Sequence, residues 1–147
     1  MKKNKLNASK KIVNNIEFDS KFEAQVYECL IELEKEKIIS NLELQVPILL
    51  VPGFGYGTQS IRETKMIVDF KFIYDGKREV YFESKGWETP VFKIKLKLLK
   101  YLKKELRKEG LFAYILYKGR VTKDNNKQKE IIKEKLIYEF SKKYIRS

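Results

Sequence analysis

The fold is decided by residues 65–85, which read KMIVDFKFIYDGKREVYFESK. Two apolar runs, about residues 65–74 and 79–85, flank the dipeptide Asp75-Gly76, and this order predicts a β-hairpin. The apolar positions that alternate along the two runs are Val68, Phe70 and Phe72, then Val80 and Phe82. Since successive side chains of a strand point to opposite faces, we expect both strands to bury their even-numbered positions.

The length of the turn sets which residues of the two strands face each other. A two-residue turn would pair Asp69 with Phe82 and put a carboxylate beside the core, so the pattern excludes this register. A three-residue loop at residues 74–76 pairs Asp69 with Tyr81 instead. Asp69 then lies diagonal to Glu83, about 7–8 Å away between backbones, and both side chains can reach one hydrated cation.

This face of the hairpin has the residue types that metal-assisted phosphodiester hydrolysis needs. Mg²⁺ is usually held by one or two protein carboxylates plus waters and substrate phosphate, which suits Asp69 and Glu83. Lys85, on the same strand face as Glu83, supplies a cation for the attacked phosphate. The pattern acid-x-Lys occurs five times, at Asp19 to Lys21, Glu63 to Lys65, Asp69 to Lys71, Asp75 to Lys77 and Glu83 to Lys85. Since only the last ends an apolar strand that is preceded by another strand with an acid on the matching face, it is the candidate, and a solvated salt bridge is the structural alternative.

The flanking sequence predicts helices and further strands around the hairpin. Ser20-Lys21-Phe22-Glu23 has the capping-box pattern and begins a helix at residues 20–38. Pro47 makes the next strand, about residues 42–48, an edge strand or ends its pairing. The other expected elements are a loop at 52–58, a helix from Thr89 or Pro90 to Lys108, a strand at 111–117 and a helix at 127–144. We therefore expect an α/β fold with a mixed four-stranded sheet flanked by helices, in one domain at 16–147 after a basic arm at 1–15.

The composition indicates a folded and strongly basic protein. It contains 32 Lys and Arg against 20 Asp and Glu, a formal net charge of +12, with 43% hydrophobic residues. This excess favours a polyanionic partner such as DNA. Apolar runs such as residues 46–51 are far shorter than the roughly 20 residues of a spanning helix, so we expect no membrane partner and a cytoplasmic location. No histidine is present, and the single cysteine, Cys29, cannot form an internal disulfide; these counts exclude a zinc site and a histidine base.

The strand motifs resemble the PD-(D/E)XK nuclease superfamily. The resemblance rests on Asp69, within Val68-Asp69-Phe70, and on the tetrapeptide Glu83-Ser84-Lys85-Gly86. Residues 18–24, the pair Leu44-Gln45 and the Lys-rich helix after the tetrapeptide are similar to a phage-encoded, Holliday-junction-resolvase-like branch. The resemblance covers about residues 16–106. Asp69 lacks the proline of the motif's name, and Ser84 replaces a more usual apolar residue.

The resemblance implies a restriction-endonuclease-like core and a metal-dependent endonuclease that hydrolyses DNA phosphodiester bonds. It implies Mg²⁺, for which Mn²⁺ substitutes, held by Asp69, Glu83 and the main-chain carbonyl of Ser84. It also implies that Glu23 of the first helix joins the catalytic set with Lys85. The implied substrate is branched or junction DNA in replication or recombination, and the implied origin is a phage or mobile element in a bacterial host.

Two of the site residues have structural alternatives. Glu23 is the third helical position after Ser20, where a Glu caps the first turn and interacts favourably with the helix dipole. Gln45 points away from its apolar neighbours and toward the site, where it would contact nucleic acid, but a surface Gln on an edge strand is equally ordinary.

The second helix carries a basic stripe that we expect to contact phosphate. Its members are Lys93, Lys97, Lys100, Lys104 and Arg107. Phosphate contact is favoured for the residues nearest the acidic motif, and a solvated helix face is the alternative. The glycine-rich loop offers Phe54 and Tyr56 for stacking on bases, or is a mobile tip. We expect Trp87 to pack rather than to read bases, and Cys29 to lie in the core rather than to act as a nucleophile.

Three functions remain open from the sequence. The leading one is the Mg²⁺-dependent endonuclease. The alternatives are a non-catalytic nucleic-acid-binding module on a nuclease fold and a basic ribosome- or RNA-associated protein. The oligomeric state stays open between a monomer and a homodimer.

Overall fold

A computed structural model describes residues 10–84 and 87–142 of the chain. Its strands are β1 (Lys11–Val13), β2 (Ile16–Phe18), β3 (Ile39–Val51), β4 (Phe54–Tyr56), β5 (Gln59–Ile61), β6 (Thr64–Tyr74), β7 (Arg78–Glu83) and β8 (Phe112–Leu116). Its helices are α1 (Lys21–Lys35), α2 (Pro90–Leu102), α3 (Lys104–Lys108) and α4 (Asn125–Ser141). Within these residues no helix is long and apolar enough to cross a membrane.

The central element is a mixed four-stranded sheet in the order β3-β6-β7-β8. β3 and β7 are both antiparallel to β6, while β8 is parallel to β7. Helices α1 and α4 pack on one face of the sheet, and α2 and α3 pack on the other. The expected α/β class with a mixed, helix-flanked sheet is confirmed, and β3 is the edge strand that Pro47 predicted.

Helix α1 begins as its sequence indicates. Ser20 is the N-cap, with extended backbone, and its hydroxyl oxygen accepts a hydrogen bond from the Glu23 N–H at 3.1 Å. Such a cap is worth about 1 kcal/mol. The apolar face of α1 packs into the core through Val26, Leu30 and Leu33, which are fully buried. Cys29 is buried as expected, and burial raises the pKa of its thiol to about 11.

The register of the β6–β7 hairpin differs from the prediction. Tyr74 faces Arg78 and Phe70 faces Phe82, so the loop is residues 75–77. The same register, continued by one residue, puts Asp69 beside Glu83 rather than Tyr81, and the Asp69 N–H contacts the Glu83 side chain. The loop starts one residue later than expected because Asp75 and Gly76 both have positive φ, 57° and 76°. This shift keeps the parity of the strands, and it brings the two carboxylates closer than the diagonal arrangement predicted.

Strand β6 changes its buried face at Asp69. Met66 and Val68 pack in the apolar cluster under α2, whereas Phe70 and Phe72 pack in the cluster under α1 and α4. In a regular strand all four side chains would share one face. The even positions are therefore buried as expected, but on two different faces of the sheet.

Three segments differ from their predicted structure. Residues 52–58, expected as a loop, contain β4 and the turn to β5, where Gly57 has a φ of 60°. β1 pairs with β2, so regular structure begins inside the predicted basic arm, whose residues 1–9 lie outside the described part. The second helix is two helices, because the chain leaves helical geometry at Lys103. Trp87, expected to pack, is 80% exposed.

Candidate active site

Two carboxylates lie side by side where β6 changes face. Asp69 is 4% exposed and Glu83 is 1% exposed. The backbone N–H of Asp69 donates a hydrogen bond to Oε1 of Glu83 at 3.0 Å. Buried carboxylates are rare unless they are hydrogen-bonded, paired with a cation or bound to a metal. This pair is the most deeply buried acidic feature of the described residues.

Ser84 fixes the Asp69 carboxylate. Its backbone N–H and its hydroxyl both donate to Oδ2 of Asp69, at 3.0 and 3.2 Å. Hydrogen bonds to a charged acceptor are stronger than neutral ones, so this clamp holds the carboxylate in one orientation. The sequence assigned Ser84 a carbonyl role only, and the function of its hydroxyl was missed.

Gln45 joins Asp69 to the first helix. Its side-chain Nε2 donates to Oδ1 of Asp69 and to Oε2 of Glu23, both at 3.4 Å. Gln45 therefore points toward the site, one of the two alternatives left by the sequence. Its φ of 51° is unusual for a residue other than glycine and marks local backbone strain, as is common at functional sites.

Glu23 belongs to the same cluster. Its N–H is capped by Ser20, while its side chain is 8% exposed and turned toward Gln45. Glu23 and Gln45 also line an open cleft of about 380 Å³ between β2, α1 and β3. The structure thus brings together Glu23, Gln45, Asp69, Glu83 and Ser84 from four different elements and their flanks.

Strand β8, which is parallel to β7, borders the site on the side of Glu83. The N–H of Tyr117, just past its end, donates to the carbonyl of Glu83 at 2.6 Å. Tyr114, opposite Tyr81 in the β7–β8 register, has a buried hydroxyl without a hydrogen-bond partner among the described residues. Burial and then the negative charges of Glu83 and Asp69 raise the pKa of Tyr114, so its hydroxyl stays protonated.

The donor set of this cluster fits a hard divalent cation. Carboxylate, amide and main-chain oxygens are the ligands of Mg²⁺, which needs only one or two carboxylates from the protein. Among the described residues no group of three or more His, Cys, Asp or Glu side chains is placed to hold a metal, so the candidate centre is the pair Asp69 and Glu83. Lys85 lies outside the described residues, and its predicted role stays a prediction.

The lysines predicted to contact nucleic acid are exposed along α2. Lys93, Lys97 and Lys100 share one face with Leu96 between them. Lys100 continues into a second cleft, of about 310 Å³, that also contains Lys104 and Arg107. The helix also exposes apolar side chains on a separate face, at Val91, Ile94, Tyr101 and Leu102. The basic stripe is therefore one of three faces of α2, the third being the buried one at Leu99.

The fold and the site define an α/β protein with a mixed sheet. A buried carboxylate pair lies in this sheet at the point where β6 changes its buried face. The chain belongs to the family described as "Protein of unknown function (DUF1064)", whose model matches residues 3–119. No curated protein and no solved structure matches the chain.

Proposed function

We propose that this protein is a Mg²⁺-dependent endonuclease that hydrolyses DNA phosphodiester bonds on a restriction-endonuclease-like core. The observation that carries the proposal is the Asp69–Glu83 pair, buried and joined by a 3.0 Å hydrogen bond in a chain of net charge +12. In a protein that only binds nucleic acid, two buried acids near the binding surface would repel phosphate. Their presence supports a cation-dependent reaction over simple binding.

In this proposal Asp69, Glu83 and the carbonyl of Ser84 hold the ion, and Mn²⁺ substitutes for Mg²⁺. When bound, the ion supplies Lewis-acid stabilisation of the charge that develops on the attacked phosphate. Ser84 keeps Asp69 in its ligating orientation through two hydrogen bonds. Gln45 holds Glu23 and Asp69 at a common point. Lys85, placed by the sequence motif alone, provides the ammonium group beside the phosphate.

The charge of the surface supports DNA as the partner. The exposed lysines of α2 follow the helix for its whole length and continue to Lys104. Arg107, the last member of the predicted stripe, is half-buried and forms a salt bridge with Glu139 at 3.2 Å. Such a stripe suits the regularly spaced phosphates of a duplex or a branch. Branched or flapped DNA in phage replication or recombination remains the substrate that the motif resemblance favours.

The test is a cleavage assay with purified protein on linear, nicked, flap and four-way-junction DNA. Each substrate is incubated with Mg²⁺, with Mn²⁺ and with a chelator, and RNA of matched sequence is included. We expect cutting of at least one DNA form with either ion and none with the chelator. Tight DNA binding without cutting in any condition would replace this proposal with the non-catalytic binding module.

A further inference from the structure

The segment between β8 and α4 carries cations on its surface and a buried polar network beneath. The exposed cations are Lys118, Arg120 and Lys123, and residues 118–123 are called the basic loop here. Lys118 pairs with Glu88 at 3.1 Å. In the described part of the chain, neither Arg120 nor Lys123 forms a salt bridge, so both are available to an anionic partner.

Two buried glutamines hold the backbone of the basic loop. Gln25 of α1 is 3% exposed and Gln128 of α4 is 2% exposed. The Gln25 amide donates to the Thr122 carbonyl at 2.7 Å and accepts from the Thr122 N–H at 3.2 Å. Gln128 donates to the Arg120 carbonyl and to Oε1 of Gln25, both at 2.8 Å. Its own Oε1 accepts the hydroxyl of Tyr117.

This network fixes the loop instead of leaving it mobile. Burying an amide side chain costs free energy unless its donors and acceptors are satisfied, and both glutamines are satisfied mainly by groups of the loop and of each other. The backbone is thus fixed at Arg120 and Thr122 while the charged side chains point to solvent. The loop backbone therefore does not have to be ordered when it contacts a phosphate, because folding has already ordered it.

The loop lies beside the candidate active site. It follows Tyr117, whose N–H donates to the carbonyl of Glu83 at 2.6 Å. Gly119 packs so closely on Phe22 that an added Cβ would come within 3.3 Å of that ring. Phe22 is the neighbour of Glu23 and stacks on Tyr117 with ring centroids 5.6 Å apart. The loop therefore joins the two elements that carry Glu23 and Glu83.

We propose that the basic loop is a preorganised phosphate-binding surface that contacts the nucleic-acid backbone next to the acidic pair, through Arg120 and Lys123. This inference rests on the nucleic-acid partner of the proposed function, but it does not require cleavage. It adds a second basic surface, separate in sequence from the α2 lysines. The contact is with phosphate, so it is independent of base sequence.

The experiment measures affinity for a short fluorescent duplex DNA in the presence of a chelator, across a series of salt concentrations. The variants are Arg120→Ala, Lys123→Ala and, as a matched control, Lys135→Ala. Lys135 is exposed on the same helix that follows the loop, about 15 Å along α4 from Asn125. Each loop variant should flatten the slope of log affinity against log salt by about 0.9 and weaken binding, while the control keeps the wild-type slope.

Slopes of both loop variants equal to that of the wild type would overturn the inference. So would an equal loss in Lys135→Ala, because binding would then be spread over the whole basic surface. If the wild type binds through the loop but never cuts, the nuclease proposal fails and this inference stands. If it cuts while the loop variants bind like the wild type, the inference fails and the nuclease proposal stands.

Discussion

Two tyrosines near the end of β8 provide a direct test of the site's hydrogen bonding. The Tyr114 hydroxyl is buried without a partner in the described part of the chain, whereas the Tyr117 hydroxyl donates to Oε1 of Gln128. A buried polar group that lacks a hydrogen bond costs about 1–3 kcal/mol, and a change that removes such a group recovers part of that cost. Tyr114→Phe should therefore leave the free energy of unfolding unchanged or raise it by up to about 1 kcal/mol.

Tyr117→Phe should have the opposite effect. It removes a hydrogen bond and leaves the buried Oε1 of Gln128 without that donor, so the free energy of unfolding should fall by about 1–3 kcal/mol. For a domain of this size each kcal/mol moves the Tm by about 2–4 °C.

Urea unfolding followed by circular dichroism measures both variants against the wild type. The two substitutions remove the same atom, one from each of the two core clusters that flank the sheet, so each is the control for the other. A Tyr114→Phe variant less stable than Tyr117→Phe would refute the account of these two hydroxyls.

Further predictions concern the site, the basic stripe and the thiol. Ser84→Ala keeps the N–H bond to Asp69 but removes the hydroxyl donor. The cleavage rate should therefore fall about tenfold, while DNA affinity in chelator stays unchanged. An unchanged cleavage rate would show that the hydroxyl has no role. Lys93→Ala and Lys97→Ala should each flatten the salt dependence of duplex binding by about one unit, and wild-type slopes would make α2 a solvated face. Because burial raises the pKa of Cys29 to about 11, iodoacetamide at pH 8 should label the native thiol far more slowly than the urea-unfolded one; equal rates would contradict its burial.

The local patterns were sufficient to predict much of the fold. The cap at Ser20, the edge position that Pro47 imposes on β3 and the helix start at Pro90 depend on residues close in sequence, and the structure confirms each. The β4–β5 hairpin was missed because its glycines were interpreted as a loop. Gly57-Thr58 nevertheless fits a two-residue turn that begins with glycine, which was the available signal.

The details of the site depend on contacts that are distant in sequence. One half of β6 is covered by α2 and the other half by α1 and α4. The change of face at Asp69 and the positive φ of Gln45 occur where these two halves meet. The hydrophobic periodicity of one strand does not show which helices cover its two halves. The sequence therefore predicted a single buried face for β6. The pairing of Gln25 with Gln128 spans 103 residues, and no local pattern distinguishes these two glutamines from surface ones.

The remaining prediction separates catalysis from binding by comparing how each substitution changes the cleavage rate and the DNA affinity. Asp69→Ala or Glu83→Ala removes an ion-holding carboxylate and should slow cleavage on the order of a thousandfold. Each also deletes a buried negative charge close to where phosphate must approach, so DNA affinity in chelator should persist or rise slightly. Lys85→Ala should also abolish cleavage, yet it should weaken binding a little because it deletes a positive charge. Glu63→Ala, which alters another acid-x-Lys tripeptide in a surface salt bridge, is the matched control.

The most direct measurement is therefore a paired assay of these four variants and the wild type, cleavage with Mg²⁺ and binding with chelator, on whichever DNA the wild type cuts. We expect all three site variants to lose cutting, DNA binding to persist or rise slightly in Asp69→Ala and Glu83→Ala but to weaken in Lys85→Ala, and Glu63→Ala to retain wild-type cutting. Cleavage that survives in Asp69→Ala and Glu83→Ala would contradict the assignment of this buried pair as the active site.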